Sequence, residues 1–239
     1  MSAATLNNVL RSIDDTVAEG GLPVLVFDLD GTLLDNRPRT LRILREFVAA
    51  HIGRWPALDV IVGELTADDL GYDARDAVRE RGFDDPEAFG AFFAFWKDRF
   101  FTDAYLVEDV PTPGAVEYAR ACWNRGAHLY YLTGRHVGGM EAGTAESLAR
   151  LGFPMYAGRS SLHLKPGFDV PDPEFKDGAI AQVRSMKGPV LATFENEPGH
   201  ANLFEGAFPG AATFLVDTGH STSAPPPSPT LLVVDDFLS

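Results

Sequence analysis

Cysteine is nearly missing. The single Cys122 leaves the chain no internal disulfide, and a reducing compartment, the cytoplasm, is the expected location. Positive charge is scarce too. Lys and Arg number 20 against 34 Asp and Glu, a formal net charge of −14. Such a chain repels polyanions at long range. Nucleic acid as a main partner and anionic membrane surfaces are therefore excluded, although a local basic pocket can still hold a small anion. No apolar run approaches the ~18 uninterrupted residues of a membrane-spanning helix. The first twenty residues mix Asn, Arg, Asp and Glu with scattered apolars, so no secretory leader is expected. Repeats are absent, and the one biased stretch, the Pro- and Ser-rich 221–229, is too short to form a domain.

What is present is a globular mixture, 45% apolar and 23% charged over 239 residues. At roughly 150 residues per domain, that length suits one domain with a substantial insertion. Residues 5–19 place Leu6, Val9, Leu10, Ile13 and Val17 at helical spacing, and Gly20-Gly21 stops the helix. Val24-Leu25-Val26-Phe27 is an unbroken apolar run, which reads as a parallel strand buried on both faces.

From 36 to 108 the period is helical, with about four helices and no strand. Leu41, Leu44, Val48 and Ile52 form one stripe. Thr66 is placed to cap a helix running to Arg81, with Gly82 as its stop. Asp85-Pro86 opens a helix bearing Phe89, Phe92, Phe93, Trp96, Phe100 and Phe101. Those rings read as interior of the insert, not as a base-stacking platform.

Beyond Pro113 helices (115–124, 145–151, 176–186, 201–208) alternate with strands (128–132, 190–194, 213–216, 231–234). Short extended pieces lie at 155–156 and 161–164. The fold class is α/β: a Rossmann-like parallel sheet covered on both faces, formed by 1–35 and 109–239, with an all-helical insert at 36–108.

Ligands collect at the carboxyl ends of such strands. Asp28, Asp30, Thr133 and the Glu195 cluster fall at that edge, and Lys176 starts a helix beside it. Two close carboxylates disfavour each other's ionisation unless a cation sits with them, and Mg²⁺ takes hard oxygen ligands. A carboxylate facing a metal-bound phosphate can attack it, and a second can protonate the leaving oxygen and later deprotonate water. Thr133 offers one uncharged donor to a phosphate oxygen, and Gly134 permits close backbone approach. Asp235-Asp236 reads as end-of-strand solvation beyond the sheet edge. His163, His200 and His220 are dispersed, without zinc spacing, and Cys122 reads as core.

The run Val24-Leu-Val-Phe-Asp28-Leu-Asp30-Gly31-Thr32-Leu33 strongly resembles the first motif of the haloacid dehalogenase superfamily of phosphohydrolases. Leu129-Tyr-Tyr-Leu-Thr133-Gly134-Arg135 resembles its second motif, and the later motifs follow in order. The resemblance implies Asp28 as nucleophile and Asp30 as general acid/base. It implies Mg²⁺ held by the Asp28 side chain and the Asp30 carbonyl, and phosphate contacted by the Leu29 and Gly31 N–H groups. Arg135 is a candidate for a second anionic group of the substrate, or for a salt bridge. The phosphate-neutralising lysine is Lys176, favoured for its distance from the acidic cluster, or Lys165. The fourth motif departs from the family, with Glu195-Asn196-Glu197 where an aspartate is expected. Glu195 is taken as metal ligand, and Asn196 as a direct or outer partner. The insert at 36–108 stands where the family carries a helical cap.

The implied activity is Mg²⁺-dependent hydrolysis of a small phosphomonoester through an aspartyl-phosphate. The competing readings are dehalogenase, phosphomutase or phosphonatase chemistry, or a degenerate binding module. The resemblance names neither the substrate nor the oligomeric state.

Overall fold

The structure, a computed structural model, describes residues 2–155 and 158–238. Helix α1 (Ser2–Ala18) leads into β1 (Val24–Phe27), whose four residues are all buried. A two-residue strand β2 (Leu34–Asp35) follows. The segment after it is helical: α2 (Arg37–Ala50), α3 (Pro56–Glu64), α4 (Ala74–Arg79) and α5 (Pro86–Phe100), then a 3-10 turn over Asp103–Glu108. These are its four α-helices among the described residues. Strand β3 (Val110–Pro111) pairs antiparallel with β2, so the two chain passages at the base of the insert are tied together.

The chain then alternates: α6 (Ala115–Asn124), β4 (His128–His136), α7 (Val137–Leu151), β5 (Ser160–Lys165), α8 (Asp172–Arg184), β6 (Val190–Glu195), α9 (Pro198–Ala207), β7 (Ala212–Val216) and β8 (Leu232–Val234). Six strands form one parallel sheet in the order β5-β4-β1-β6-β7-β8.

The apolar runs explain this burial. Alternate residues of a strand face opposite sides. Leu25, Phe27, Leu129 and Tyr131 pack with α1 and α6 on one face. Val24, Val26, Tyr130 and Leu132 pack with α8 and α9 on the other. The sheet is thus covered on both sides, as a continuous hydrophobic strand demands. The helical segment has a core of its own, built around Leu44, Phe47, Val62, Phe89 and Phe92, which shares no residue with the other two. Its last 3-10 turn docks on α7. There Asp103 accepts the Gly143 N–H at 2.6 Å, and the Ser147 hydroxyl donates to the Leu106 carbonyl at 2.9 Å.

Several boundaries differ from the sequence reading. No helix runs from Thr66 to Arg81. Thr66 and Asp69 cap each other around a short 3-10 turn at 67–69, and α4 starts afresh after Asp73. The intervening Gly71 lacks a side chain to pack, and Asp73 prefers to cap, its carboxylate accepting the Arg75 N–H at 2.9 Å. Strand β4 runs through Thr133-Gly134-Arg135 rather than ending before them, with a register irregularity between Thr133 and His136. Helix α7 begins at Val137, eight residues earlier than its apolar spacing shows, because its first turns carry Gly138 and Gly139. The extended piece expected at 155–156 lies partly outside the described residues, since Tyr156 is not among them. No helix of the described residues is long and apolar enough to cross a membrane.

Candidate active site

Chain order reverses at β1, with β4 on one side and β6 on the other. Such a switch point opens a crevice at the strand ends. Here it is a cavity of about 610 Å³ between the sheet and the helical insert. Phe27, Phe194 and Phe214 stack face to face across β1, β6 and β7 beneath it, with ring centroids 4.7 and 4.6 Å apart. This dry ladder fixes the strand ends from which Asp28 and Glu195 emerge.

Asp28 extends the β1–β6 ladder by one bond, its N–H donating to the Phe194 carbonyl at 3.0 Å. Its buried carboxylate accepts a hydrogen bond from Lys176 Nζ at 2.8 Å. The same ammonium donates to Glu195, whose other oxygen accepts the Glu197 N–H at 3.2 Å. Burial, and then the Glu195 charge, push the Asp28 carboxyl well above the usual range, against the pull of Lys176. Burial also pushes Glu195 up, but Lys176 and His200 outweigh it and hold that carboxyl down at about 2. Burial disfavours the Lys176 ammonium, yet the two carboxylates outweigh that and raise it above the usual lysine range. Two buried acids share one ammonium, so the trio would carry a surplus negative charge with both ionised, which is why Asp28 is the one pushed up.

Asp30 belongs to a second cluster. Arg135 grips it as a fork, Nε to Oδ2 at 2.7 Å and Nη2 to Oδ1 at 2.9 Å. Arg39, from α2 of the insert, pairs with the same carboxylate, and Asn36 donates to it at 3.2 Å. Asp109, at the exit of the insert, closes the ring. It accepts from Arg135 at 2.7 Å and lies in ionic contact with Arg39 Nε at 3.0 Å, off the hydrogen-bond line. Burial is the largest influence on Asp30 and pushes it up, but Arg135 and Arg39 together outweigh it and hold the carboxyl far below its usual range.

The remaining sequence candidates divide by geometry. Thr133 is buried at the cavity floor, its hydroxyl oxygen accepting the Arg135 N–H at 3.2 Å. Lys176 reaches Asp28, whereas Lys165, at the end of β5, pairs with Asp172 at 2.6 Å. Gly134 lets that Asp172 approach closely, since a Cβ there would lie 2.7 Å from Asp172 Oδ2. The Leu29 side chain is buried in the core. Gly31 takes φ +76°, and its N–H donates to the Leu34 carbonyl at 2.8 Å. That donor is committed within the turn rather than offered to phosphate. A Cβ at Gly31 would lie 2.3 Å from Asn196 Nδ2. Asn196 in turn donates to the Gly219 carbonyl at 2.8 Å. Arg135 forms salt bridges instead of standing free for a second anionic group.

Five features escaped the sequence reading. Asp109 and Arg39 carry no motif, and only the fold brings them to Asp30. Asp235 lines the cavity, contrary to its expected place beyond the sheet edge. His200, read as dispersed, also lines it, with Nδ1 3.8 Å from Glu195 Oε2. The aromatic helix serves two roles: Phe89, Phe92 and Phe100 lie in the core of the insert, while Trp96 and the C-cap residue Phe101, packed against that core, also line the cavity.

A family model for haloacid dehalogenase-like hydrolases matches residues 22–192. The chain belongs to that family. The matched stretch takes in Asp28, Asp30, Thr133 and Lys176 and stops short of Glu195. No curated protein matches the chain. Among solved structures, a phosphatase of Clostridium difficile, titled putative, superposes with a TM-score of 0.51 at 16% identity, covering 85% of this chain and 89% of that one. A class C acid phosphatase of Bacillus anthracis with tungstate bound gives a TM-score of 0.42 at 16% identity, covering 81% of this chain but only 62% of that one. CbbY of Rhodobacter sphaeroides in complex with phosphate gives 0.45 at 17% identity, covering 90% and 94%. At these identities the first likeness speaks for the haloacid dehalogenase-like fold alone.

Among the described residues no three His, Cys, Asp or Glu side chains group as a metal cage. The family set implied by the motifs does not need one, because it draws on two carboxylates, a main-chain carbonyl and an amide oxygen. Those are hard oxygen donors of the kind Mg²⁺ takes, and two acids set against the single Lys176 ammonium leave a place for a cation that would keep both ionised. The residues present therefore fit the group.

Proposed function

We propose that this hydrolase is a Mg²⁺-dependent phosphatase of small phosphomonoesters. The observation that carries the reading is Asp28, buried at the tip of β1 and hydrogen-bonded to Lys176 at the sheet's switch point. In this reading an Asp28 oxygen attacks phosphorus, the ester P–O bond breaks, and the leaving oxygen takes a proton from Asp30. Water then attacks the aspartyl-phosphate while Asp30 takes the water's proton, returning Asp28 and releasing phosphate. Lys176 balances charge on the nucleophile and the transferring group. Thr133 donates its hydroxyl proton to a phosphate oxygen. Asp28, the Asp30 carbonyl, Glu195 and Asn196 would hold Mg²⁺, which supplies charge neutralisation and orientation at the phosphate.

The two arginines favour Asp30 in its ionised form, the form that accepts a proton from water. Proton donation in the first step calls for its release from one of them. Arg39 rides on the insert, so Asp30 is free of it while the insert is open and takes up its proton then, before the insert closes on substrate. Residues 36–108 act as a cap that closes on substrate and excludes water.

The test is release of phosphate from a panel of small phosphomonoesters with Mg²⁺, with a chelator, and with Asp28→Asn. Turnover that needs both the metal and Asp28 supports the reading. Metal-independent release of halide from a haloacid, without phosphate release, would select the dehalogenase instead.

A further inference from the structure

Glu195 stands where an aspartate is expected, and its longer side chain needs a firmer hold. The extra methylene adds a rotatable bond, whose freedom a metal ligand must give up. The first turn of α9 is placed to supply that hold. Glu195 ends β6, and α9 opens shortly after it at Pro198, whose fixed φ suits the first helical position. Two contacts pin the turn. The Glu197 carboxylate accepts the Ser221 N–H at 3.1 Å, and Gly199 packs against Pro225, where a Cβ would lie 3.3 Å from Cδ.

That turn addresses both oxygens of Glu195. Oε1 accepts the Glu197 N–H at 3.2 Å, and Oε2 faces His200 Nδ1 at 3.8 Å. His200 Nδ1 is buried and has no hydrogen-bond partner among the described residues. A buried ring nitrogen left so is costly. Closing the gap to Glu195 by less than about 1 Å brings it into hydrogen-bond range. A neutral imidazole protonated at Nδ1 can make that bond without adding charge. A carboxylate offers about four acceptor sites. Lys176 takes one on Glu195 and the Glu197 N–H another. Donation from His200 takes a third and leaves the last for a cation.

We infer that His200 is a positioning residue, which donates through Nδ1 to Glu195 Oε2 and so fixes that carboxylate for a divalent cation. The inference rests on the Mg²⁺-dependent reading for the cation, and it is read out as metal affinity rather than turnover.

Calorimetric titration of the full-length protein with Mg²⁺ tests it, the melting temperature without Mg²⁺ showing that each variant is folded. His200→Leu should weaken Mg²⁺ binding about tenfold, the usual loss when a residue that orients a metal ligand is removed. His200→Phe, which also fills the space without a donor, replaces it where His200→Leu fails to fold. His200→Asn, whose amide can donate from nearly the same place as Nδ1, should restore most of the affinity. In Glu195→Asp the shorter carboxylate draws back from His200, so adding His200→Leu there should weaken binding less than about twofold. Unchanged affinity in His200→Leu, no recovery in His200→Asn, or the full loss repeated in the Glu195→Asp background would overturn the inference. No Mg²⁺ binding by the wild type would overturn it together with the metal-dependent reading. The expected ranking without phosphate release from any ester would count against the phosphatase reading alone.

Discussion

Replacing Lys176 with Met would leave Asp28 and Glu195 facing each other, buried and without their shared ammonium. Removing one partner of a buried ion pair costs about 3 to 5 kcal/mol. Urea denaturation should show a loss of that size, while Lys165→Met, whose partner Asp172 is partly exposed, should cost less than about 1 kcal/mol. Equal losses would mean that the central lysine is misassigned. Glu195 adds a pH signature. Its folded pKa, about 2, lies below its ordinary 4.5, so its stabilising effect is fully present above the ordinary value and disappears as pH falls through about 2. Glu195→Gln should therefore flatten the stability profile between about pH 4.5 and 2. Cys122 gives a simpler check. Burial pushes its thiol up, so a thiol reagent at pH 8 should modify it only after unfolding. At this scale the sequence was informative wherever chemistry follows a strand end, as at Asp28 and Glu195. It was silent on Arg39 and Asp109, because an Arg–Asp ring assembled over 105 residues of chain separation, from Asp30 to Arg135, leaves no local pattern.

Among the elements, strands were legible because burial on both faces demands continuous apolar runs, and β1 and the Leu129–Leu132 stretch of β4 show them. Helix starts were less legible where glycines or a capping aspartate replace apolar spacing, as at α7 and α4. Helix α5 is a case where the local signal is complete. Asp85 accepts the Ala88 N–H at 3.0 Å, and Pro86 occupies the first turn. Asp85→Ala should cost about 1 kcal/mol, read as a lower urea midpoint with unchanged slope. No change would show that the cap adds nothing to α5. The same helix also shows why its function was hidden. Its aromatic stripe satisfies the hydrophobic requirement of the insert core at Phe89, Phe92 and Phe100, and nothing in the spacing distinguishes the rings that also line the cavity.

For the whole molecule, the insert has its own core yet reaches the strand ends through Arg39 and through the aromatic wall. The change of period marks the helical stretch in the sequence, but not these contacts, which depend on how two separately packed cores meet. The two acids set against one ammonium at the strand ends give a global consequence. Saturating Mg²⁺ should raise the melting temperature, because a ligand at 100 times its Kd stabilises by about 2.7 kcal/mol. The rise should vanish in Glu195→Ala. An unchanged melting temperature in the wild type would argue against the metal.

The claim at the centre is that Asp28 forms a covalent bond to phosphorus. Acid quenching during turnover of a ³²P-labelled phosphomonoester, followed by peptide mapping, tests it most directly. Label is predicted on the peptide bearing Asp28, released by mild base as an acyl-phosphate and absent from Asp28→Asn. Steady turnover with no labelled protein at any quench time, or Asp28→Asn turning over at the wild-type rate, would contradict the account.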